Sequence, residues 1–343
     1  MYLFDDDEIR TELEKYHISK SDLEGSTGDH DYICTRDIVK ELSETANSGN
    51  NSHLMNADIS DQEVKSTFGK GSESPGPDGV SAKLVDNADR TLMHECLRIL
   101  RNKVWAAGCF PSEWKKENRI VIPKPGKAHY NECSAYRTVS VTSCLGKRLE
   151  HITSQRFITL LKSQNFDFDQ FAYLKNKSVT PAILMVVEKI KKGLIQGQKA
   201  WAMFFDFTDA FGSVNRKSLL IKINRDFGVT GRLLLHIDSF LRDTVARIKI
   251  GDNVEEWIES LFGTSAGTSL GPLLFIAHVH DVPKIINPKF ADDMVALAVG
   301  TDGSQIEESL QNATNQLVAW ADKEGMELNA QKTKVMLFGD TVN

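Results

Sequence analysis

Two adjacent carboxylates, Asp292 and Asp293, lie between the short lead-in Phe290-Ala291 and the apolar run 294–299. This pattern predicts a β-hairpin whose tip carries two like charges. Each charge raises the cost of ionising the other unless a cation lies nearby. The pair therefore indicates a Mg²⁺ site, although Asp is a common turn residue and most Asp-Asp pairs are solvated hairpin tips.

A third carboxylate, Asp206, directly follows the aromatic and apolar run 201–205, which predicts a strand, and turn and helix formers come after it. We expect Asp206 at the end of that strand, beside the hairpin. Three carboxylates from two strands can hold two Mg²⁺ ions, which prefer oxygen ligands and keep positions open for phosphate oxygens. The constellation predicts nucleotidyl transfer.

Seven segments in order carry a resemblance to a known family. They are 74–80 (SPGPDGV), 119–124 (RIVIPK), 136–141 (YRTVSV), 206–214 (DFTDAFGSV), 267–275 (GTSLGPLLF), 290–293 (FADD) and 328–334 (LNAQKTK). Together they resemble the motifs of a reverse transcriptase of the non-LTR (LINE, jockey-like) retrotransposon type. The resemblance implies an α+β fold, the palm and fingers of a right-hand polymerase, with an antiparallel palm sheet backed by helices. It also implies that the endonuclease and thumb regions are lacking.

The resemblance implies that residues 58–343 form the reverse transcriptase domain, with 58–200 mainly fingers and the start of the palm, and 201–343 palm. Residues 1–57 are polar and predict a poorly structured or loosely helical lead-in. Ser60 and Glu63 have capping-box spacing, which predicts a short helix. Periodicity predicts further helices over 91–107, 143–162, 179–195, 217–227 and 232–241.

Alternation predicts a hairpin of 245–250 and 254–262 that turns at Gly251 and Asp252. A helix is predicted to begin near Leu270. His278 and His280 point to different sides of that helix because they are two residues apart, so we interpret both as structural.

The resemblance implies an RNA-directed DNA polymerase in which a primer 3′ hydroxyl attacks the α-phosphate of a dNTP. Two Mg²⁺ ions, for which Mn²⁺ can substitute, would be held by Asp206, Asp292, Asp293 and the backbone of Phe207. Lys332 matches the late lysine of the family, a candidate for protonating or neutralising pyrophosphate; a solvated lysine is the alternative.

The resemblance also implies a nucleotide site. Phe211 falls where the family places the aromatic ring that blocks a ribose 2′ hydroxyl; a core phenylalanine on the helix after the strand is the alternative. Backbone amides at 207–210, at a strand-to-helix turn, are candidate triphosphate ligands. The other implied nucleotide-binding residues are Lys124, Arg137, Thr208, Asp209, Ala210, Ala266 and Gly267. The implied template or primer contacts are Gln170 and the predicted tight turn Pro75, Gly76, Pro77, Asp78 and Gly79.

The net charge of −6 is unevenly distributed, because residues 98–162 hold 13 Lys and Arg against 4 Asp and Glu. This basic stretch is a candidate phosphate-binding surface. For Arg98, Arg101 and Lys103 we favour solvated helix faces. Lys124 and Arg137 flank strand-like segments and correspond to the fingers hairpin that closes on the triphosphate in the family. The stretch also holds Lys115, Lys116, Arg119, Lys127, Lys147 and Arg148.

No apolar stretch approaches the roughly 20 residues that span a bilayer, and the acidic start is unlike a signal peptide. We therefore expect a soluble protein with no membrane partner. Five cysteines without CxxC spacing argue against a disulfide framework or zinc site and favour a reducing compartment, nuclear or cytoplasmic. The expected partners are an RNA template, a DNA or RNA primer and dNTPs; the oligomeric state is not predicted.

The chain departs from the family pattern at Ala266 (usually Gln), Gly212 (Asp), Thr138 (Pro), Glu73 (Lys) and Leu174 (Arg). None of these removes a metal ligand, but several remove expected substrate contacts. One alternative is therefore an inactive retroelement remnant that binds RNA or hybrid duplex without polymerising. An RNA-templated RNA polymerase is disfavoured by Phe211, and a metal-dependent phosphatase leaves the six other motifs unexplained.

Overall fold

The computed structural model describes residues 55–69, 74–88, 90–126, 129–132, 135–164, 170–251, 253–265 and 267–339. The chain divides into two units that alternate along the sequence. The first unit takes the chain up to Gln164 with Leu220–Leu261 and Ser265–Gly271; the second takes Asn165–Leu219, Phe262–Thr264 and the chain from Pro272 onward. The predicted lead-in lies outside the described residues except at 55–57, and the fingers and palm boundary at 200 stays a prediction.

The helices of the described residues are α1 (Asp61–Lys65), α2 (Ala82–Asn87), α3 (Arg90–Ala107), α4 (Cys144–Ser163), α5 (Val179–Ile195), α6 (Arg216–Phe227), α7 (Gly231–Leu241), α8 (Gly271–His278) and α9 (Gly303–Glu324). The strands are β1 (Lys116–Pro123), β2 (Tyr136–Val141), β3 (Lys199–Phe205), β4 (Phe207–Thr208), β5 (Thr244–Ile250), β6 (Asn253–Val254), β7 (Ile258–Ser260), β8 (Ile286–Phe290), β9 (Asp293–Gly300), β10 (Glu327–Leu328) and β11 (Lys334–Phe338).

The periodic helices are confirmed to within one residue at each end, and so is the helix predicted near Leu270, α8. Their ends follow from local capping. At α1 the predicted capping box forms: Glu63 N donates to Ser60 Oγ (3.3 Å) and Ser60 N donates to Glu63 Oε2 (2.8 Å). The glycine after α3, Gly108, has a φ of +60°, which other residue types rarely adopt, and it ends the helix.

The first unit contains a mixed sheet in the order β2-β1-β5-β6, with β7 also paired to β5. The pairing of β1 and β2 is antiparallel, whereas β1 and β5 are parallel. In the hairpin predicted to turn at Gly251 and Asp252, the second strand is broken into β6 and β7, which both pair with β5. Asp252 lies outside the described residues.

Four basic residues of the predicted phosphate-binding stretch 98–162 are buried: Arg101, Lys115, Arg148 and Arg156. The prediction of a solvated helix face is wrong for Arg101, which is 1% exposed. Arg101 lies four residues after Leu97 and four before Trp105, so it shares the buried stripe of α3. Lys115 and Arg148 are also buried, and Arg148 donates to Asp86 Oδ1 at 2.6 Å. The exposed Lys103 and the half-exposed Arg98 fit the prediction, with Arg98 paired to an exposed glutamate on its own helix.

The second unit is built on an antiparallel sheet in the order β11-β3-β9-β8. Ala200 and Ala202 point to one face of the sheet and Ala298 to the other, because Ala298 pairs with Trp201, and all three are buried. The helices α5 and α9 both pack against these strands. The two-residue strand β4 continues beyond β3 and pairs with β10. The predicted antiparallel sheet backed by helices is confirmed.

His278 is fully buried, and the Nδ1 of His280 lies 2.8 Å from the carbonyl oxygen of Ala277. Both histidines are thus held within the fold, as predicted. In the part of the chain that the structure describes, no helix has the length and apolar character needed to cross a membrane.

Candidate active site

The hairpin between β8 and β9 carries the two adjacent carboxylates at its tip. Phe290 pairs with Asp293, which leaves Ala291 and Asp292 as the turn. Ala291 is buried and has a φ of +57°, a left-handed conformation that residues with a Cβ adopt uncommonly. The turn therefore depends on contacts from outside the hairpin.

Asp206 lies at the end of β3, on the strand next to the hairpin. In the antiparallel register of β3 and β9, Phe205 pairs with Met294, so Asp206 follows at the level of Asp293. The structure thus places the three predicted carboxylates at one end of one sheet.

The carboxylates influence one another electrostatically. Burial raises the pKa of Asp292, and the charges of Asp293 and Asp206 raise it further. Burial also raises the pKa of Asp293, with a second contribution from Asp206. The ammonium of Lys332 opposes both shifts. The site therefore holds more negative charge than its surroundings neutralise, and it favours a cation.

Lys332 is brought to the carboxylates by a short turn after β10. Asn329 N donates to the carbonyl oxygen of Asp206 (2.8 Å), and Lys332 N donates to the carbonyl oxygen of Asn329 (3.2 Å). These bonds place the Nζ of Lys332 3.0 Å from Asp206 Oδ2. The predicted proximity of Lys332 to the carboxylates is observed, and its role in catalysis stays a prediction.

The carboxylate oxygens are hard ligands of the kind that divalent cations such as Mg²⁺ prefer. Among the described residues, however, no three His, Cys, Asp or Glu side chains are arranged so that they could already hold a metal ion. Lys332 occupies one oxygen of Asp206. The donor set fits a divalent cation in its chemistry.

Phe211 lies in the turn between β4 and α6 and not on a helix, which corrects the alternative of a core phenylalanine on the helix after the strand. Asp209 has a φ of +45°, and Ser213 N and Oγ both donate to its carbonyl oxygen at 3.0 and 2.9 Å. The next helix, α6, begins only at Arg216. The ring of Phe211 stacks on Phe275 with centroids 4.4 Å apart, so it is held rigidly.

Gly212, one departure from the family pattern, lies close to Asp209 in the turn around Phe211. A Cβ on Gly212 would meet the carboxylate of Asp209, which would have to shift, and a Cβ on Gly263 would lie 2.7 Å from the Cα of Gly212. Thr208 and Ala210 belong to the same segment, and the Phe207 side chain is buried edge-on against Trp320.

Other predicted site residues belong to the first unit. The hairpin of β1 and β2 is confirmed: Ile122 pairs with Arg137, and Lys124 N donates to the carbonyl oxygen of Ala135 (2.8 Å). Gly267 has a φ of +102°, and a Cβ there would lie 2.6 Å from the carbonyl oxygen of Ser140 on β2. Ala266 lies outside the described residues. The nucleotide contacts of these residues stay predictions.

The predicted turn at 74–79 is also confirmed in the first unit. Gly79 N donates to the carbonyl oxygen of Gly76 at 3.0 Å, and Gly79 has a φ of +72°. A Cβ on Gly76 would lie 2.6 Å from the carbonyl oxygen of Thr142, so the backbones meet closely there. Pro75, Pro77 and Asp78 complete the turn; their contact with a template or primer stays a prediction.

The sequence did not reveal two buried glutamates that hold the loop of Gly267. Glu117 accepts hydrogen bonds from Ser265 Oγ and from Ser140 Oγ, and Glu150 Oε2 accepts one from Ser269 N at 2.9 Å. Burial raises the pKa of Glu150 to about 7. The apolar and small neighbours of Glu150 on α4 were the signal for its burial.

Gln170 bonds to the hairpin of β8 and β9: its side chain is 1% exposed and bonds to Ala291 in the hairpin turn. Its contact with a template stays a prediction.

The comparisons with known proteins concern the same region. A family model described as "Reverse transcriptase (RNA-dependent DNA polymerase)" matches residues 122–342. The chain belongs to the reverse transcriptase family. The matched segment contains Asp206, Asp292, Asp293 and Lys332. The predicted family and its polymerase fold class are confirmed.

Relatives of this reverse transcriptase domain come from mobile elements of Drosophila melanogaster. The RNA-directed DNA polymerase from mobile element jockey is 25% identical over 350 residues, which cover 96% of this chain and 37% of the relative. The "Probable RNA-directed DNA polymerase from transposon BS" is 25% identical over 274 residues, covering 76% and 30%. The predicted likeness to jockey-like elements is confirmed, and the chain spans about a third of the length of these relatives.

Among solved structures, apo telomerase from Candida tropicalis, truncated from its C-terminal domain, aligns with a TM-score of 0.48 at 11% identity. The alignment covers 77% of this chain and 62% of the telomerase chain. Reverse transcriptases use divalent metal ions, and the oxygen donors of the carboxylate site fit that requirement.

Proposed function

We propose that this reverse transcriptase domain copies an RNA template into DNA by adding dNTPs to the 3′ hydroxyl of a DNA or RNA primer. One observation carries the proposal: Asp206, Asp292 and Asp293 lie together at one end of the antiparallel sheet, with Lys332 paired to Asp206. The raised pKa values of Asp292 and Asp293 support a site that binds cations.

The metal that this site would take is Mg²⁺, as two ions, with Mn²⁺ as a substitute. Asp206, Asp292, Asp293 and the backbone of Phe207 are the residues that would hold it. When bound, such ions lower the pKa of an attacking hydroxyl and neutralise charge on pyrophosphate.

The chain's own residues supply the remaining steps. The primer 3′ hydroxyl releases its proton to solvent, its oxygen forms a bond to the α-phosphorus of the dNTP, the bond from that phosphorus to the bridging oxygen breaks, and pyrophosphate leaves. Lys332, 3.0 Å from Asp206, neutralises or protonates the leaving pyrophosphate. The ring of Phe211, fixed on Phe275, excludes a ribose 2′ hydroxyl and so selects dNTPs.

In the first unit, Lys124 and Arg137 are proposed to bind the triphosphate. The exposure of Arg137 on the β1–β2 hairpin supports this role. The turn at 74–79 is proposed to contact the template. Positioning by such contacts supplies much of the rate of phosphoryl transfer.

Primer extension on an RNA template with Mg²⁺ and dNTPs tests the proposal. Asp292→Asn keeps the size of the side chain and removes its charge, and Asp322→Asn makes the same change at an exposed position of α9. We expect extension by the native chain and by Asp322→Asn, and none by Asp292→Asn. Salt-sensitive RNA binding without extension by the native chain would instead identify the inactive remnant.

A further inference from the structure

We infer that Gln170 is a positioning residue of the catalytic hairpin. Its amide fixes the turn residue Ala291 and thereby sets where Asp292 and Asp293 present their carboxylates. This inference rests on the proposed function, since it concerns the same carboxylate site.

The contacts of Gln170 are directed at the turn from both of its amide atoms. Gln170 Oε1 accepts a hydrogen bond from Ala291 N at 2.8 Å, and Nε2 donates to the carbonyl oxygen of Ala291 at 3.3 Å. The same Oε1 accepts from Phe171 N (3.0 Å) and Ala172 N (3.1 Å). One side chain thus joins two chain segments that are 121 residues apart in sequence.

The backbone around Gln170 holds the hairpin on the other side of the turn. Gln170 forms a parallel bridge with Lys289, and Phe171 N donates to the carbonyl oxygen of Lys289 at 2.9 Å. The hairpin is therefore anchored both before and at its turn. Lys289 is itself buried, so these bonds lie in a place where water does not replace them easily.

The conformation of Ala291 explains why such an anchor is needed. A non-glycine residue with a φ of +57° persists where its surroundings fix it. Asp292 follows directly and is half-buried, whereas Asp293 is exposed. If the Gln170 amide is lost, Ala291 is free to relax and the carboxylates move with it.

Because its side chain is buried, Gln170 positions the hairpin from within the fold, a role different from direct contact with a template. The side chain is 1% exposed, and both of its polar atoms bond to protein. Gln170 acts through Ala291, as residues behind metal ligands act by orienting them.

Binding of Mn²⁺, followed by electron paramagnetic resonance of the free ion, tests the inference without requiring polymerisation. Gln170→Met keeps the length of the side chain and removes its hydrogen bonds. The matched control is Gln164→Met, which removes a single bond from Gln164 Nε2 to the carbonyl oxygen of Phe227 (3.0 Å) in the first unit. Asp292→Asn identifies the Mn²⁺ binding that belongs to the carboxylate site.

We expect Gln170→Met to lower the Asp292-dependent affinity for Mn²⁺ by about tenfold or more, while Gln164→Met binds as the native chain does. Native affinity in a folded Gln170→Met variant, or the lack of Asp292-dependent binding in the native chain, would overturn the inference. Native Mn²⁺ binding without primer extension would count against the proposed function alone.

Hydrogen exchange in the native chain keeps the inference testable if Gln170→Met does not fold. The amide of Ala291 should exchange slowly, because Gln170 Oε1 accepts its hydrogen bond. Exchange of Ala291 as fast as that of an exposed turn amide would overturn the inference.

Discussion

The Nζ of Lys332 donates to Asp206 Oδ2 at 3.0 Å, across 126 residues of sequence. Asp206 ends β3, and Lys332 lies in the turn between β10 and β11. The two residues are aligned because Asn329 N donates to the carbonyl oxygen of Asp206 at 2.8 Å. An ammonium group is thereby held beside the carboxylates that we propose to bind metal ions.

Replacing Lys332 should slow catalysis without unfolding the domain. We expect Lys332→Met to lower the rate of primer extension by about a hundredfold, the typical contribution of a general acid, and Lys332→Arg to restore part of it. Single-turnover extension measures this rate. The control is Lys334→Met, since the Nζ of Lys334 bonds to the backbone carbonyl of Gln331. Equal rates for Lys332→Met and Lys334→Met would contradict the role of Lys332.

Phe211 should control the choice between dNTPs and rNTPs. Phe211→Val removes the ring that stacks on Phe275. We expect incorporation of rNTPs relative to dNTPs to rise by about tenfold or more, as for other sites that reject a group by size. Tyr173→Phe, which keeps the neighbouring ring, should leave the ratio unchanged. A native ratio in Phe211→Val would show that the ring packs without selecting the sugar.

The sequence was informative where local pattern decides the structure. The bounds of α5 follow from apolar periodicity, and the strand that ends at Asp206 follows from its aromatic run. The hairpin of Asp292 and Asp293 was also predictable, because its strands are adjacent in sequence. The strand end at Asp206 and the hairpin together supply the three predicted carboxylates.

The features that the sequence did not predict depend on contacts between segments that lie far apart in the chain. The hydrogen bonds of Gln170 to Ala291 and of Glu150 to Ser269 join segments more than 100 residues apart. The parallel pairing of β1 with β5 is equally non-local. Arg101 was misread because its charge suggested solvent, although its position places it on the buried stripe of α3. Such burial is a property of the packed unit and not of the local sequence.

Glu150 should make the stability of the domain depend on pH. The pKa of Glu150 is about 7 in the folded state and 4.5 in the unfolded state. Between these two pH values the folded state keeps the proton and the unfolded state releases it. Stability therefore falls as pH rises from about 4.5 to 7, by up to about 3 kcal/mol. In urea unfolding, Glu150→Gln should remove this loss and be more stable than the native chain at pH 8. An unchanged pH dependence in the variant would contradict the assignment.

The ion pair of Arg148 and Asp86 should contribute strongly to stability. Arg148 is 5% exposed, donates to Asp86 Oδ1 at 2.6 Å and to the carbonyl oxygen of Thr67 at 3.1 Å. Arg148→Met leaves the carboxylate without this partner, and we expect a loss of about 3 kcal/mol in the free energy of unfolding. Lys103→Met, at an exposed position of α3, should change it by less than about 0.5 kcal/mol. Similar losses for the two variants would contradict the structural role of Arg148.

The central claim is that Asp206 and the hairpin carboxylates form one catalytic site. A double-mutant cycle of Asp206→Asn and Asp292→Asn, measured by addition of one dNTP to a primer on an RNA template, tests it most directly. If the residues act as a unit, each single variant should lose more than about a thousandfold in rate, and the double variant should lose little more. Independent losses that multiply in the double variant, or single variants as active as the native chain, would contradict the claim.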